Sequence, residues 1–438
     1  MTSKLITASV LTAATLVLAS CDEDELILDG ERFDTRGAPI ATDIEDVERS
    51  RPISLVAPVT NANWTHVNGS VEHRIAHPSL DRTLSRVWSV PIGEGNTKRQ
   101  RLTADPVVAD GRVFTLDSQA QVTAFTTDGN LLWQRDLTPS SDASNDASGG
   151  GVAFASGRLY VTSGFGSLAV LDAATGETIW TQDLEAAATG APTVFNGVVY
   201  LVTRNAIGWA LDINSGRILW QVIGASSPSG LTGGPAPAIS GPLVIFPFSS
   251  GQMLAAVQNT GATAWVASVP GQRQGRAFSR ISDLSGDPVV DGDRIFAGNH
   301  SGRAAAFDAS TGVMQWTASE GAVNPVWRAG DSVFMVSDDN RLIRLDAETG
   351  ETVWSVDLPL FLRESQRRRK STYVHFGPIL AGGQLLVASD DGVLRAFSPE
   401  SGALISETEL PNGAARNPVV AGGTLYLITE NGQLHAFR

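Results

Sequence analysis

Leu345-Asp346-Ala347-Glu348-Thr349-Gly350-Glu351-Thr352-Val353-Trp354 is the phrase around which the chain is organised. It returns at Leu171–Trp180, Leu211–Trp220 and Phe307–Trp316, with looser copies at Phe125–Trp133 and Val257–Trp265. In each copy a glycine stands four positions before a tryptophan: Gly129 and Trp133, Gly176 and Trp180, Gly216 and Trp220, Gly261 and Trp265, Gly312 and Trp316, Gly350 and Trp354. The chemistry is conformational. An apolar strand ends at an Asp able to cap a turn, and Gly takes the positive-φ position of a hairpin. The strand that follows carries a Trp, with large apolar area and one N–H to satisfy.

The tryptophans, beginning with Trp88, recur about every 40–50 residues, the length of a four-stranded propeller blade. Within a unit the order is apolar strand, tight turn, apolar strand, Gly-containing turn, strand, Asp…Gly turn, Trp strand. Units open at Pro106, Pro192, Pro237, Pro288, Pro325, Pro378 and Pro418, and one opens near Val152. A proline at a strand start loses no ladder N–H. The last unit stops at Arg438 after its third strand, whereas the array begins at Leu84–Val90 with a lone Trp strand. Each end supplies what the other lacks, so the N-terminal strand is expected to complete the last blade and leave no open edge. The reading is all-β: an eight-bladed propeller over residues 84–438, with seven blades as the competing count. Its eighth Trp position is taken by Ser406.

Residues 1–20 hold one cation, Lys4, and an apolar run from Leu5 to Leu18 that ends Leu18-Ala19-Ser20-Cys21. A run of about 14 residues is too short for a spanning helix and fits a secretory signal. The small residues before Cys21 resemble the lipobox of bacterial lipoproteins, which implies lipidation at Cys21; ordinary cleavage there is the alternative. Cys21 is the only cysteine, so intrachain disulfides and multi-cysteine metal sites are excluded. Residues 21–83 read as an acidic tether followed by an irregular segment. His66, His73 and His77 fall there without metal-site spacing, so no metal is expected. A formal net charge of −14 argues against nucleic acid as a partner.

The repeat phrase resembles that of the pyrroloquinoline-quinone-type propellers. The layout of lipobox, acidic tether, lone Trp strand, eight blades and a three-stranded last unit is similar to the BamB family of outer-membrane barrel-assembly lipoproteins. Two stretches sharpen the likeness: Arg280-Ile281-Ser282-Asp283-Leu284-Ser285-Gly286-Asp287-Pro288 and Leu231-Thr232-Gly233-Gly234-Pro235-Ala236-Pro237. In that family these neighbouring inter-blade loops bind periplasmic POTRA domains of the membrane-embedded assembly protein. The resemblance therefore implies partner contacts at Leu231, Thr232, Arg280, Asp283 and Asp287. Thr232 stands where the family has Arg, and Ser285 where it has a second Asp, with Asp287 as a substitute. For Asp283 the alternative is a turn-capping carboxylate, and for Arg280 a solvated charge. The resemblance also implies a lipid-anchored protein on the periplasmic face of the outer membrane, a scaffold with no cofactor, and contact with nascent outer-membrane proteins as an option. Asp22 directly after the lipidated Cys is the enteric pattern for inner-membrane retention, which leaves the membrane open.

Two other classes remain. A quinone-dependent dehydrogenase shares the repeat, but the chain has no cysteine pair and few insertions between blades. No Ser-His-Asp, HExxH, P-loop or dinucleotide motif is present, so no catalytic residue is assigned. A propeller that binds an unassigned periplasmic ligand is the other. The basic run Arg367–Lys370, after Arg363, lies between the sixth and seventh blades. It reads as a solvated loop, with anionic lipid or an acidic surface as its alternatives.

Overall fold

The computed structural model describes residues 50–438, apart from 228–232, 272, 274–282, 364, 366–368 and 370. Among the described residues the chain forms 32 strands, numbered β1–β32 in chain order, and one short 3-10 turn at Val67–Gly69. The strands make eight four-stranded antiparallel sheets, each in sequence order from the innermost strand outward, except the last. Blades 1 to 8 open at β2 (Val107–Ala109), β6 (Gly150–Ala155), β10 (Thr193–Phe195), β14 (Ala238–Ser240), β18 (Val289–Asp291), β22 (Trp327–Ala329), β26 (His375–Ala381) and β30 (Val419–Ala421).

The closing sheet has the order β1-β32-β31-β30, with β1 (Arg86–Pro91) on the outside of β32 (Gln433–Phe437). Val90 pairs with Leu434 and Ser89 with His435. The expected closure of the ring by the N-terminal strand is therefore the one observed, with eight blades. One detail differs from the sequence expectation. Pro378 sits inside β26, where the register breaks between Phe376 and Ile379, because the strand begins earlier at His375.

Inner and middle strands are buried on both faces, whereas outer strands alternate, as on β9 (Thr178–Asp183), where Trp180 and Gln182 are half-buried and Ile179, Thr181 and Asp183 are exposed. The core lies between blades. The indole of Trp133 on β5 (Leu131–Asp136) reaches into blade 2 and donates from Nε1 to the Ala173 carbonyl at 3.2 Å. Trp88, Trp180, Trp220, Trp265, Trp316 and Trp354 do the same to the next blade, at 3.0–3.3 Å. The repeat glycines face those rings across the junction: Gly176 faces Trp133, Gly216 faces Trp180, Gly312 faces Trp265 and Gly350 faces Trp316. Thus the Gly and Trp of one phrase serve two different junctions.

The missing eighth Trp follows from the closure. The strand β1 enters blade 8 from elsewhere in the chain, so blade 8 has no Asp…Gly turn between its third and outer strands. A Trp at position 406 would have no glycine turn to dock on, and Ser406 stands there.

Candidate partner-binding site and central cavity

Consecutive blades are joined by connections from an outer strand to the next inner strand, all at one end of the channel. Beneath them runs a ring of polar bonds that spans every junction. Thr103 Oγ1 donates to Gly150 O (2.8 Å), Thr162 Oγ1 to Gly190 O (2.8 Å), and Gly234 N to Thr189 O (2.7 Å). Ala236 N donates to Asp287 Oδ1 (2.7 Å), Ser285 Oγ to Ala322 O (2.7 Å), and Asn324 Nδ2 to His375 O (2.8 Å). Gly377 N donates to Asn417 Oδ1 (2.9 Å). Blade 8 meets blade 1 through Arg416 Nε and Asn417 N on Asp105 Oδ1, at 2.8 and 3.2 Å, with Asn417 Nδ2 on Oδ2 at 3.2 Å.

These groups line a cavity of about 70 Å³ on the channel axis, floored by His66 and Val67. Its carboxylates are committed to holding blades together. Burial pushes the Asp287 carboxyl up to about 7, against the pull of the Ala236 N–H, although part of the residue faces the cavity. The nearby Asp105 charge adds to that rise and Arg416 opposes it. Among the described residues no group of three or more His, Cys, Asp or Glu is placed to hold a metal ion.

Of the sequence-implied contacts, Leu231, Thr232 and Arg280 lie outside the described residues, as do Cys21 and Asp22. Asp283 is 3% exposed and its carbonyl accepts the His300 N–H at 3.2 Å. Asp287 points inward to Ala236, which belongs to the stretch begun at Leu231. Asp287 thus ties the two loops to one another across the junction of blades 4 and 5. In the basic run, Arg367, Arg368 and Lys370 are outside the described residues, and Arg369 lies over the Phe361 ring at 4.9 Å.

Sequence reasoning missed the polar ring. Its signal was present: Asp105-Pro106, Asp287-Pro288, Asn324-Pro325 and Asn417-Pro418 each place a polar residue before an opening proline. The proline holds that residue extended, and the ring geometry then aims its side chain at the neighbouring blade. The sequence also assigns the histidines only to an irregular segment lying against the folded body, with no partner for any ring. His66 Nε2 accepts the Val194 N–H at 3.1 Å, His73 Nδ1 contacts Pro288 O at 2.8 Å, and His77 Nε2 accepts the Gly383 N–H at 2.9 Å.

A closed eight-bladed ring with Trp-docked junctions, and an axial cavity whose carboxylates bond to neighbouring blades, defines the class as an eight-bladed propeller closed by its N-terminal strand. The family described as outer membrane protein assembly factor BamB matches residues 85–148, 119–356 and 364–438, and the chain belongs to that family. The outer membrane protein assembly factor BamB of Yersinia pestis is 26% identical over 340 residues, which cover 76% of this chain and 84% of the relative. The crystal structure of BamB from Moraxella catarrhalis superposes with a TM-score of 0.67 at 20% identity, covering 81% of this chain and all of that one. A europium-containing methanol dehydrogenase has the same fold, with a TM-score of 0.66 at 14% identity over 86% of this chain and 98% of its own.

Proposed function

We propose that this protein is a non-enzymatic scaffold for the assembly of outer-membrane proteins. It is anchored through Cys21 on the periplasmic face of the outer membrane and binds POTRA domains of the membrane-embedded assembly protein. The observation that carries this reading is the family match, which runs through the whole blade array, from residue 85 to residue 438. The joining of the two implied contact loops at Ala236 and Asp287 supports it, since two connected loops make one surface on a rigid ring. Leu231, Thr232 and Arg280 supply partner contacts, and the buried Asp283 and the Asp287 bond to Ala236 support the loops. Outer strands are free sheet edges with exposed apolar residues, such as Ile218, Leu219 and Ile223 on β13 (Ile218–Ile223). Such edges suit extended segments of nascent outer-membrane proteins.

The alternative, a quinone-dependent dehydrogenase, rests on the shared fold alone, and the axial carboxylates are bonded to blade neighbours. A pull-down from detergent-solubilised membranes tests the proposal, comparing wild type with Leu231→Glu plus Arg280→Glu. Recovery of a POTRA-containing barrel protein by wild type and its loss with the folded variant is the expected result. Absence of that partner from the wild-type sample would sink the scaffold reading. A near-ultraviolet quinone band in the purified protein would favour the dehydrogenase.

A further inference from the structure

We propose that the end of the channel opposite the inter-blade loops is a peptide-binding site, and that residues 51–82 are its built-in ligand. The inner strand of each blade is a sheet edge that faces the channel, with backbone groups left over from its own ladder. The N-terminal segment meets those edges one blade after another. Asn61 O accepts the Gly422 N–H of blade 8 at 2.7 Å, and Trp64 exchanges both backbone bonds with Val108 of blade 1 at 2.6 and 2.9 Å. Thr65 O takes the Phe154 N–H of blade 2 (2.9 Å), and the His66 ring takes the Val194 N–H of blade 3. Val71 O and Glu72 O take Ile239 N–H and Val290 N–H of blades 4 and 5, at 2.8 and 2.9 Å.

The circuit is completed by Asn68 Nδ2 on Val326 O of blade 6 (3.5 Å) and by Pro78 O on the Gly382 N–H of blade 7 (3.0 Å). All eight blades are engaged by about thirty residues without a strand of their own. This is strand addition reduced to one or two bonds per sheet. The anchor of the segment is Trp64, 2% exposed, stacked on Trp327 of blade 6 at 6.2 Å with 24° between the rings. The entry point is clamped too: Arg51 pairs with Asp331 and Asp346 at 2.9 and 2.7 Å, and its carbonyl accepts from the buried Arg344.

Two consequences follow. Ligands and partners reach the axis only from the inter-blade loop side, since the other mouth is filled. Ring closure also rests on the segment that leads to the anchor, because Asn61 and Trp64 cross the seam between blades 8 and 1. The family match begins after this segment, at residue 85, so the inference is independent of the proposed function.

The experiment inserts a protease recognition sequence between Thr83 and Leu84, cleaves the folded full chain, and follows the fragment by gel filtration with labelled synthetic peptide 50–83 as competitor. The wild-type fragment is expected to remain bound and to exchange slowly with the peptide. Trp64→Ala should release it about a hundredfold faster, and Trp64→Phe less so. Immediate loss of the wild-type fragment, or release unaffected by Trp64→Ala, overturns the proposal. Should Trp64→Ala fail to fold, hydrogen exchange on the uncut wild type decides. Amides of Phe154, Ile239 and Val290 as slow as ladder amides support the site, and exchange at exposed-loop rates refutes it.

Discussion

Gly176 lies against the ring of Trp133 in the preceding blade, so close that a Cβ at this glycine would fall 2.6 Å from Trp133 Cε3. The same indole is held by its Nε1–H on the Ala173 carbonyl. Glycine is required there twice, by contact and by its φ of +73°. Gly157 has the same φ with open space around it. Gly157→Ala should therefore cost about 1 kcal/mol, for left-handed backbone alone. Gly176→Ala should cost about 2–4 kcal/mol, because overpacking against the indole adds to it. Thermal melts of the two variants, side by side, measure the difference that belongs to the Trp contact.

Acid stability should fail through the segment in the channel. Burial, with a smaller push from His73, lowers His66 to about 3, and burial lowers His73 to about 4, against the pull of the Pro288 and Pro237 carbonyls. Both are neutral in the fold and titrate near 6.5 when unfolded. Their stabilisation is thus intact above pH 6.5 and lost as pH falls toward 4, by about 1.4 kcal/mol per unit for each ring. Denaturant midpoints between pH 7.5 and 4.5 should fall less steeply for His66→Gln than for wild type.

Asp287 has the opposite sign. Its carboxyl, raised to about 7, favours the fold below pH 4 and loses that advantage as pH rises to 7. Asp287→Asn keeps an acceptor for the Ala236 N–H without the charge. It should gain stability relative to wild type as pH goes from 5 to 8, as read from melting temperatures at each pH.

Asp287→Ala, by contrast, removes the tie between the two loops. Membrane pull-downs should recover less of the barrel-assembly partner with the alanine variant at an unchanged circular dichroism spectrum, and nearly wild-type amounts with the asparagine variant. Equal recovery with Ala would show that the tie does not shape the contact surface.

Arg344 is a fully buried cation on β24 (Arg341–Asp346), held by Ser332 Oγ at 2.7 Å, Asp331 at 3.2 Å and the Arg51 carbonyl at 2.6 Å. Arg344→Ala removes the donor to Ser332 Oγ and the Arg51 carbonyl and leaves a cavity, while Asp331 keeps Arg51, and should cost about 3 kcal/mol. Arg344→Met, which refills the volume, should cost less; urea titration of both variants checks the order.

Blade number, strand order and ring closure could be read from the chain because each rests on local chemistry repeated many times. An Asp–Gly turn, a Trp four residues on and an opening proline act within about ten residues, and their copies reinforce one another. Even the loss of the eighth Trp was visible at Ser406, although its cause, a blade with no turn to receive an indole, needed the closed sheet. The candidate site was less legible. Asp283 and Asp287 look like loop carboxylates in sequence, yet Asp283 is buried and Asp287 bonds across the junction of blades 4 and 5, which exists only once the two blades meet. The residues before β1 carry no period of 2 or 3.6, and nothing local distinguishes a tether from a ligand.

The sequence by itself determined the repeat and pointed to an eight-bladed ring closed by its own first strand, with seven blades as the competing count, because turn and strand propensities are set by neighbours along the chain. Only the tertiary structure decided which Gly meets which Trp, where the axial carboxylates point, and that residues 51–82 fill one mouth of the channel. Those contacts join groups separated by tens to hundreds of residues. Their energies come from burial and backbone hydrogen bonds that exist only once eight sheet edges face a common axis.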